Sequence, residues 1–206
     1  MSSPNKLVVI ALACLLCAGV ANAGLIPFNG IVTRDSNLDD IAIGEMQFHM
    51  QFDDLGAGLA AFTFENTGPN NAFIDAVYFD GDIINSIFML IPGAGVLFSP
   101  RGNPMDLPGG NMIGFMSDVH ATADMPQSPN GIDPGEMLEI QMSYTGTFAD
   151  LTAAILSAEL RIGVSAGGMG PLKEGSEAFV NKPVPAPGAL ALLGIAGLIG
   201  RRRRRG

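Results

Sequence analysis

The feature that most constrains the fold is a stretch of strict alternation at residues 45–52, which reads Glu-Met-Gln-Phe-His-Met-Gln-Phe. Met46, Phe48, Met50 and Phe52 fall on one side of an extended chain, and polar side chains fall on the other. A period of two with one polar face is typical of an antiparallel strand that covers a core on one side only. The alternation therefore predicts a β protein in which at least one sheet face meets water.

The rest of the central region consists of short apolar runs separated by turn-forming residues. A nearly unbroken apolar run at residues 83–91 predicts a strand covered on both faces. The Asp80-Gly81-Asp82 sequence before it predicts a hairpin turn. Thr147 as a cap, with apolar residues at positions 148, 151 and 155, predicts one helix over residues 147–156. The other predicted strands are 58–64, 73–79, 95–98, 112–116, 137–144 and 160–164.

This pattern predicts an all-β domain over residues 24–182, an antiparallel β-sandwich of the immunoglobulin-like or jelly-roll type with one short helix. A domain of this size buries a sufficient core without disulfides. Cys14 and Cys17 are the two cysteines of the chain, and both precede the domain. A disulfide framework, a thiolate nucleophile and a cysteine-ligated zinc are therefore excluded within it.

Charge is distributed unevenly along the chain. Residues 24–182 hold 20 acidic and five basic side chains, a net charge of −15, whereas five of the 11 basic residues of the chain lie at positions 201–205. A surface this acidic repels phosphate backbones, so we expect no nucleic-acid partner.

Residues 1–23 are typical of a secretory signal peptide. Lys6 supplies a positive start, an apolar run follows at residues 7–20, and Ala21 and Ala23 form a small-x-small cleavage site. Signal peptidase is then expected to produce a mature chain that begins at Gly24. Lipidation at a cysteine of the apolar run is an alternative, but the residues before it do not fit that motif.

The C-terminal segment, residues 183–206, has three parts. Three prolines at positions 183, 185 and 187 hold the chain extended. An apolar run at residues 189–200 follows and predicts a short transmembrane helix of roughly 18 Å, which is less than a hydrocarbon core of ~30 Å. Counting from Val184, with the arginine side chains reaching to the interface, brings the segment near the lower limit for a bilayer span. A basic cluster then predicts that the end of the chain stays on the cytoplasmic side of the membrane and that the acidic domain lies on the outer side. The cluster consists of Arg201, Arg202, Arg203, Arg204 and Arg205.

This order of parts resembles the PEP-CTERM sorting signal of bacterial exported proteins. The proline motif here is Val184-Pro185-Ala186-Pro187-Gly188, in which Ala186 stands where the family has Glu. The resemblance implies a precursor tethered in the inner membrane, cleavage near the motif by an exosortase-type membrane protease, and release to the cell surface or the extracellular space. It covers about a tenth of the chain and assigns no activity to the domain.

Catalytic motifs in the domain are weak. Residues 163–167 fit G-x-S-x-G around Ser165, but the glycines that follow cannot form the helix of a nucleophile elbow. We interpret this segment as a turn after a strand. His49 is expected on the polar strand face and His120 at a strand end, and their spacing is not that of a metal site.

Oxygen ligands at Asp35, Asn37 and Asp39 have the spacing that begins a calcium loop, although the glycine and the final glutamate of such a loop are missing. Weak calcium binding is therefore an open alternative to an ion-free acidic loop, and we expect no metal site and no cofactor. The sequence favours a non-catalytic exported cell-surface or extracellular-matrix protein. The alternative is a secreted module that binds matrix polysaccharide, although Trp is absent and Tyr78 and Tyr144 are the only phenols.

Overall fold

In the computed structural model, which describes residues 25–101, 105–169 and 175–181, ten strands form one antiparallel sheet. The first five strands are β1 (Ile26–Gly30), β2 (Phe48–Gly56), β3 (Leu59–Asn66), β4 (Phe73–Asp80) and β5 (Ile84–Pro92). The other five are β6 (Phe98–Arg101), β7 (Val119–Ala123), β8 (Met137–Tyr144), β9 (Arg161–Met169) and β10 (Gly175–Asn181). The described helices are α1 (Leu38–Gln47), α2 (Gln127–Asn130), α3 (Phe148–Ser157) and a 3₁₀ turn at Gly110–Ile113.

The strand order is β5-β8-β3-β2-β1-β10-β9-β4-β7-β6. Strand β1 joins two halves of the sheet, because Ile26 and Pro27 pair with β2 whereas the next three residues pair with β10. The sheet curls until its end strands β5 and β6 contact each other, so it nearly closes into a barrel. The all-β, antiparallel character predicted from the sequence is therefore confirmed.

The two halves of the sheet enclose one core on the inner face. Phe79 of β4 stands at its centre, with the ring of Phe62 5.3 Å away and that of Phe64 6.1 Å away, both edge-to-face. Such aromatic pairs stabilise a core beyond the area that they bury. The strands predicted at 58–64, 73–79 and 137–144 are confirmed, within one or two residues at their ends.

Helix α1 occupies a segment that the sequence did not predict to be helical. The side chain of Asn37 caps it by accepting a hydrogen bond from the Asp39 backbone N–H, and acidic residues of the first turn favour the positive end of the helix dipole. The strand prediction for residues 45–52 is therefore wrong at its start. Met46 belongs to the helix and is 56% exposed, whereas Phe48, Met50 and Phe52 are buried as predicted.

Helix α3 confirms the prediction for residues 147–156. The Thr147 hydroxyl accepts from the Asp150 N–H, and the Asp150 carboxylate accepts in return from the Thr147 N–H. This reciprocal capping box defines where the helix begins. Leu151 and Ile155 are buried against the sheet, as their spacing predicted. The expectation of a single helix is wrong, since α1 and the single-turn α2 accompany α3.

Two predictions about β5 are wrong. The strand lies at the end of the sheet and is mostly exposed, with Phe88 at 59% and Met89 at 46% exposure, rather than covered on both faces. The turn at Asp80-Gly81-Asp82 is not a hairpin, because β4 pairs with β7 and β9 while β5 pairs with β8. The turn carries the chain from one half of the sheet to the other.

The predicted strand at residues 112–116 is also wrong. Gly109 and Gly114 have φ values of 70° and 67°, a left-handed conformation that ends any extended run. A 3₁₀ turn forms between them instead. The strand expected at 95–98 begins only at Phe98, the strand expected at 160–164 continues to Met169, and three strands of the sheet, β1, β7 and β10, had not been predicted.

Candidate functional site

The outer face of β10, β9, β4 and β7 carries a second, smaller apolar cluster. The strands present small residues here, and residues 105–117, which we call the covering segment, lie across them. A Cβ on Gly163 would come within 2.6 Å of the Leu107 side chain, so the covering segment rests directly on β9. The buried members of the cluster are Ile31, Ala76, Tyr78, Leu107, Phe115 and Ala178.

Arg161 fixes the covering segment to the sheet. Its guanidinium donates to the carbonyl oxygens of Ile113 at 2.7 Å and Gly114 at 2.6 Å, and it lies 5.5 Å from the centre of the Phe115 ring. The same group forms an ion pair with Asp80. Hydrogen bonds from a charged donor are stronger than neutral ones, so this one side chain stabilises the position of the covering segment.

A β-bulge places a carboxylate beside the covering segment. Ile74 of β4 pairs with Ala166 and Ala76 pairs with Ser165, which leaves Asp75 as an extra residue with no partner on β9. Bulges re-aim side chains and are frequent next to binding sites. The Ser165 hydroxyl donates to Asp75, and the Tyr78 hydroxyl lies 3.5 Å from the Ser165 oxygen.

Burial shifts the pKa values of two of these side chains. It raises the pKa of the Asp75 carboxyl above its ordinary value, against the opposing effect of the Ser165 hydrogen bond. Burial also raises the pKa of Tyr78, and the charge of Asp75 adds to that increase. Because the single Ser165 proton goes to Asp75, Tyr78 donates to Ser165 in this chain of hydrogen bonds.

His120 of β7 is the cross-strand partner of Tyr78 of β4, and its side chain is fully buried. The two rings stack with centres 5.8 Å apart and planes 7° from parallel. Neither ring nitrogen of His120 has a hydrogen-bond partner within the part of the chain that the structure describes. Burial lowers the pKa of His120, and the positive charge of Arg101 lowers it further, so the ring is neutral at pH 7.

Arg101 completes the site from β6. Its Nε donates to the Thr122 hydroxyl at 2.8 Å, and its Nη2 lies 3.5 Å from an Asp124 carboxylate oxygen. Between these groups and Asp75 lies an open cavity of about 400 Å³, which we call the outer-face cavity. Its lining includes Asp75, Tyr78, Arg101, Thr122 and Ser165, with Met105 and Met125 as apolar walls. A cavity of this size with few polar groups is typical of small-molecule sites.

The structure gives Ser165 a different setting from the one predicted. It lies inside β9 rather than in a turn, so that prediction is wrong. His120, placed at a strand end by the sequence, lies within β7 and does not hydrogen-bond to Ser165. His49 is half-buried on β2, on the opposite half of the sheet. The sequence motif therefore brings no histidine into hydrogen-bond contact with the serine among the described residues.

Helix capping accounts for the spacing that suggested calcium. Asn37 is the N-cap of α1 and Asp39 lies in its first turn. Among residues 25–101, 105–169 and 175–181, no three His, Cys, Asp or Glu side chains are grouped so that they could hold a metal ion. A second cavity, of about 490 Å³, is lined by Asp82, Asp150 and Glu159, but Asp150 is engaged in the cap of α3.

The residues predicted for targeting lie outside the described part of the chain. They are Ala21, Ala23 and Gly24, then Val184, Pro185, Ala186, Pro187 and Gly188, and the cluster Arg201, Arg202, Arg203, Arg204 and Arg205. Within the described ranges, every helix is too short or too polar to cross a bilayer.

Sequence reasoning missed Asp75 and Arg101. The available signal was a lone carboxylate at Asp75 inside an otherwise apolar strand.

Comparison with protein-family models, with curated proteins and with solved structures found no match to this chain.

Proposed function

We propose that this chain is an exported, non-catalytic protein of the cell surface or extracellular matrix, sorted through its C-terminal segment. The proposal rests on the order of its terminal segments in the sequence: a signal peptide at residues 1–23, and a proline motif, a short apolar helix and an arginine cluster at residues 183–206. Signal peptidase, an exosortase-type protease and the inner membrane are its partners in this account.

One structural observation supports the proposal: Asn181, the last described residue, is held firmly in the domain and lies four positions before the proposed processing region at residues 185–188. Asn181 is buried, its Nδ2 donates to the Leu160 carbonyl at 3.2 Å, and its Oδ1 accepts from the Ile162 N–H at 2.9 Å. Strand β10 also pairs with β1, so the first and last described strands lie side by side. Cleavage near Pro185 to Gly188 would therefore leave every described hydrogen bond intact.

Intact-mass measurement on protein from the native host tests the proposal. The mature protein is expected to begin at Gly24, to lack Arg201 to Arg205, and to end near residues 185–188. A permanent anchor would instead retain the five arginines in the surface-exposed pool, and that result would remove the sorting mechanism.

Variants of the proline motif sharpen this test. Replacing Pro185 and Pro187 with Ala should leave membrane insertion intact but slow cleavage, because the segment is no longer held extended. The matched variant Ala186→Glu restores the residue of the family motif and should speed cleavage. Equal processing rates in all three chains would contradict a role for the motif.

The second candidate function is a secreted carbohydrate-binding module, which the outer-face cavity favours. Asp75, Arg101 and Thr122 provide a carboxylate, a guanidinium and a hydroxyl around one open cavity. These are the groups with which proteins bind sugar hydroxyls through hydrogen bonds.

The finer fold, a β-sandwich of the immunoglobulin-like or jelly-roll type, is likewise our proposal, supported by two half-sheets that face each other across one core.

A further inference from the structure

The outer-face cavity presents a carboxylate, that of Asp75, whose position is fixed by a β-bulge and a hydrogen bond. Asp75 has about four acceptor positions on its two oxygens, and one of them takes the Ser165 proton. Tyr78 and Ser165 support this contact from below, and both are buried. The half-buried Asp75 carboxylate also lines the cavity, and within the described ranges Ser165 is the side chain that donates to it. The bulge in β4 thus presents a fixed acceptor to a ligand that carries hydrogen-bond donors.

Arg101, which also lines the cavity, provides the donors. Thr122 and Asp124 hold the Arg101 guanidinium from two sides. A guanidinium has five N–H donors, and the contacts of Arg101 with other described residues, Thr122 and Asp124, engage only part of them. A ligand in the cavity therefore meets both an acceptor and a donor, with Met105 and Met125 as apolar lining residues.

The charge around the cavity determines which ligands could bind to both Asp75 and Arg101. Arg101 is already paired with Asp124, so its charge is partly neutralised. The domain around it carries a net charge of −15 over residues 24–182, which disfavours anions. A neutral molecule with several adjacent hydroxyls satisfies the acceptor and the donor without a charge to be repelled.

We propose that the outer-face cavity binds a neutral saccharide, with sugar hydroxyls donating to Asp75 and accepting from Arg101. This inference rests on the second candidate function, a carbohydrate-binding module, and specifies the charge of its ligand and the residues that bind it. Ser165 is a positioning residue because its hydroxyl donates to the Asp75 carboxylate, and Tyr78 acts through Ser165, whose oxygen lies 3.5 Å from the Tyr78 hydroxyl.

The test is calorimetric titration of the purified full chain with three tetrasaccharides: neutral cellotetraose, neutral maltotetraose and an anionic alginate tetrasaccharide. Binding of at least one neutral sugar, and not of the alginate fragment, is expected. Asp75→Asn should weaken that binding about tenfold or more, because a charged acceptor becomes a neutral one. The matched control Asp82→Asn removes an exposed carboxylate near α3, outside the cavity, and should leave the affinity unchanged.

Each other outcome overturns the inference in a distinct way. Binding of the alginate fragment alone contradicts a neutral ligand, and binding of no probe contradicts a saccharide site in this cavity. Neutral binding that Asp75→Asn leaves unchanged preserves a carbohydrate-binding module but removes this cavity as its site. None of these outcomes alters the terminal masses that test export and sorting.

Discussion

The inner and outer faces of the β4–β9 region are built in opposite ways. On the inner face, large side chains such as Phe79 interlock with rings from the other half of the sheet. On the outer face, Ala76, Gly163 and Ser165 leave space that the covering segment and a cavity occupy. The inner face holds the fold together, whereas the outer face displays a carboxylate that burial makes costly. The saccharide site proposed above lies on this outer face.

The largest expected effect comes from the inner face. Phe79→Ala removes the ring that contacts both Phe62 and Phe64, so the free energy of unfolding should fall by about 3–5 kcal/mol. Urea unfolding monitored by circular dichroism measures it. The matched variant Phe88→Ala, on exposed β5, should change stability by about 0.5 kcal/mol or less. Similar losses in the two variants would contradict the assignment of the core.

A smaller effect is expected where the covering segment meets β9. Gly163→Ala would bring a Cβ within 2.6 Å of Leu107, so the covering segment must shift, at a cost of about 1–3 kcal/mol. Hydrogen exchange should accelerate at residues 105–117 while amides of β3 and β8 remain protected. Adding Leu107→Ala relieves the clash, so the double variant should lose less stability than the sum of the two single ones. Additive losses would show that the two residues do not touch.

Asp75→Asn should change stability in the opposite direction. The carboxyl has a raised pKa in the folded state, so its charged form costs stability above that pKa and the cost disappears as the pH falls through it. At pH 7 the neutral side chain should therefore stabilise the protein by about 0.5–2 kcal/mol. Thermal unfolding at pH 7 and pH 4 measures the difference, which should shrink at the lower pH. A destabilised Asp75→Asn variant at pH 7 would show that the carboxylate is structural.

His120 provides the smallest expected effect, under about 1 kcal/mol over the range from pH 7 to pH 5.5. Its pKa is lowered in the folded state, so the unfolded chain binds the proton first and stability is lost as the pH falls below about 6.5. His120→Phe keeps the stacking on Tyr78 and removes the titration, so its melting temperature should fall less than that of the parent. Parallel pH profiles for the two proteins would contradict a buried, neutral His120.

The sequence allowed the inner face to be predicted better than the outer one. Alternation identified β3 and most of β2, and a capping residue with helical spacing located α3, since each signal lies within about ten residues. The alternation also concealed α1, because Met46 continued the pattern of β2 while belonging to the helix. An apolar run such as residues 83–91 shows that a segment is extended, but it does not show whether the strand is central or terminal in the sheet.

The candidate site could not be predicted because its residues come together only through long-range pairing. Asp75 and Ser165 are 90 positions apart, and their contact depends on a bulge that no local pattern reveals. Arg101 reaches the cavity only because β6 pairs with β7 and β7 with β4. The G-x-S-x-G motif singled out Ser165 as a possible nucleophile, whereas in the structure Ser165 lies in β9 and donates a hydrogen bond to Asp75.

The most direct test of the proposed saccharide site on the outer face is an NMR titration of the isotopically labelled protein with the neutral tetrasaccharide that binds most tightly. Chemical-shift changes should concentrate at Asp75, Tyr78, Thr122 and Ser165, and at the Arg101 side chain, with the inner-face rings and β5 unaffected. Changes centred on the exposed side chains of β5, or an unchanged spectrum at saturating sugar, would contradict the account.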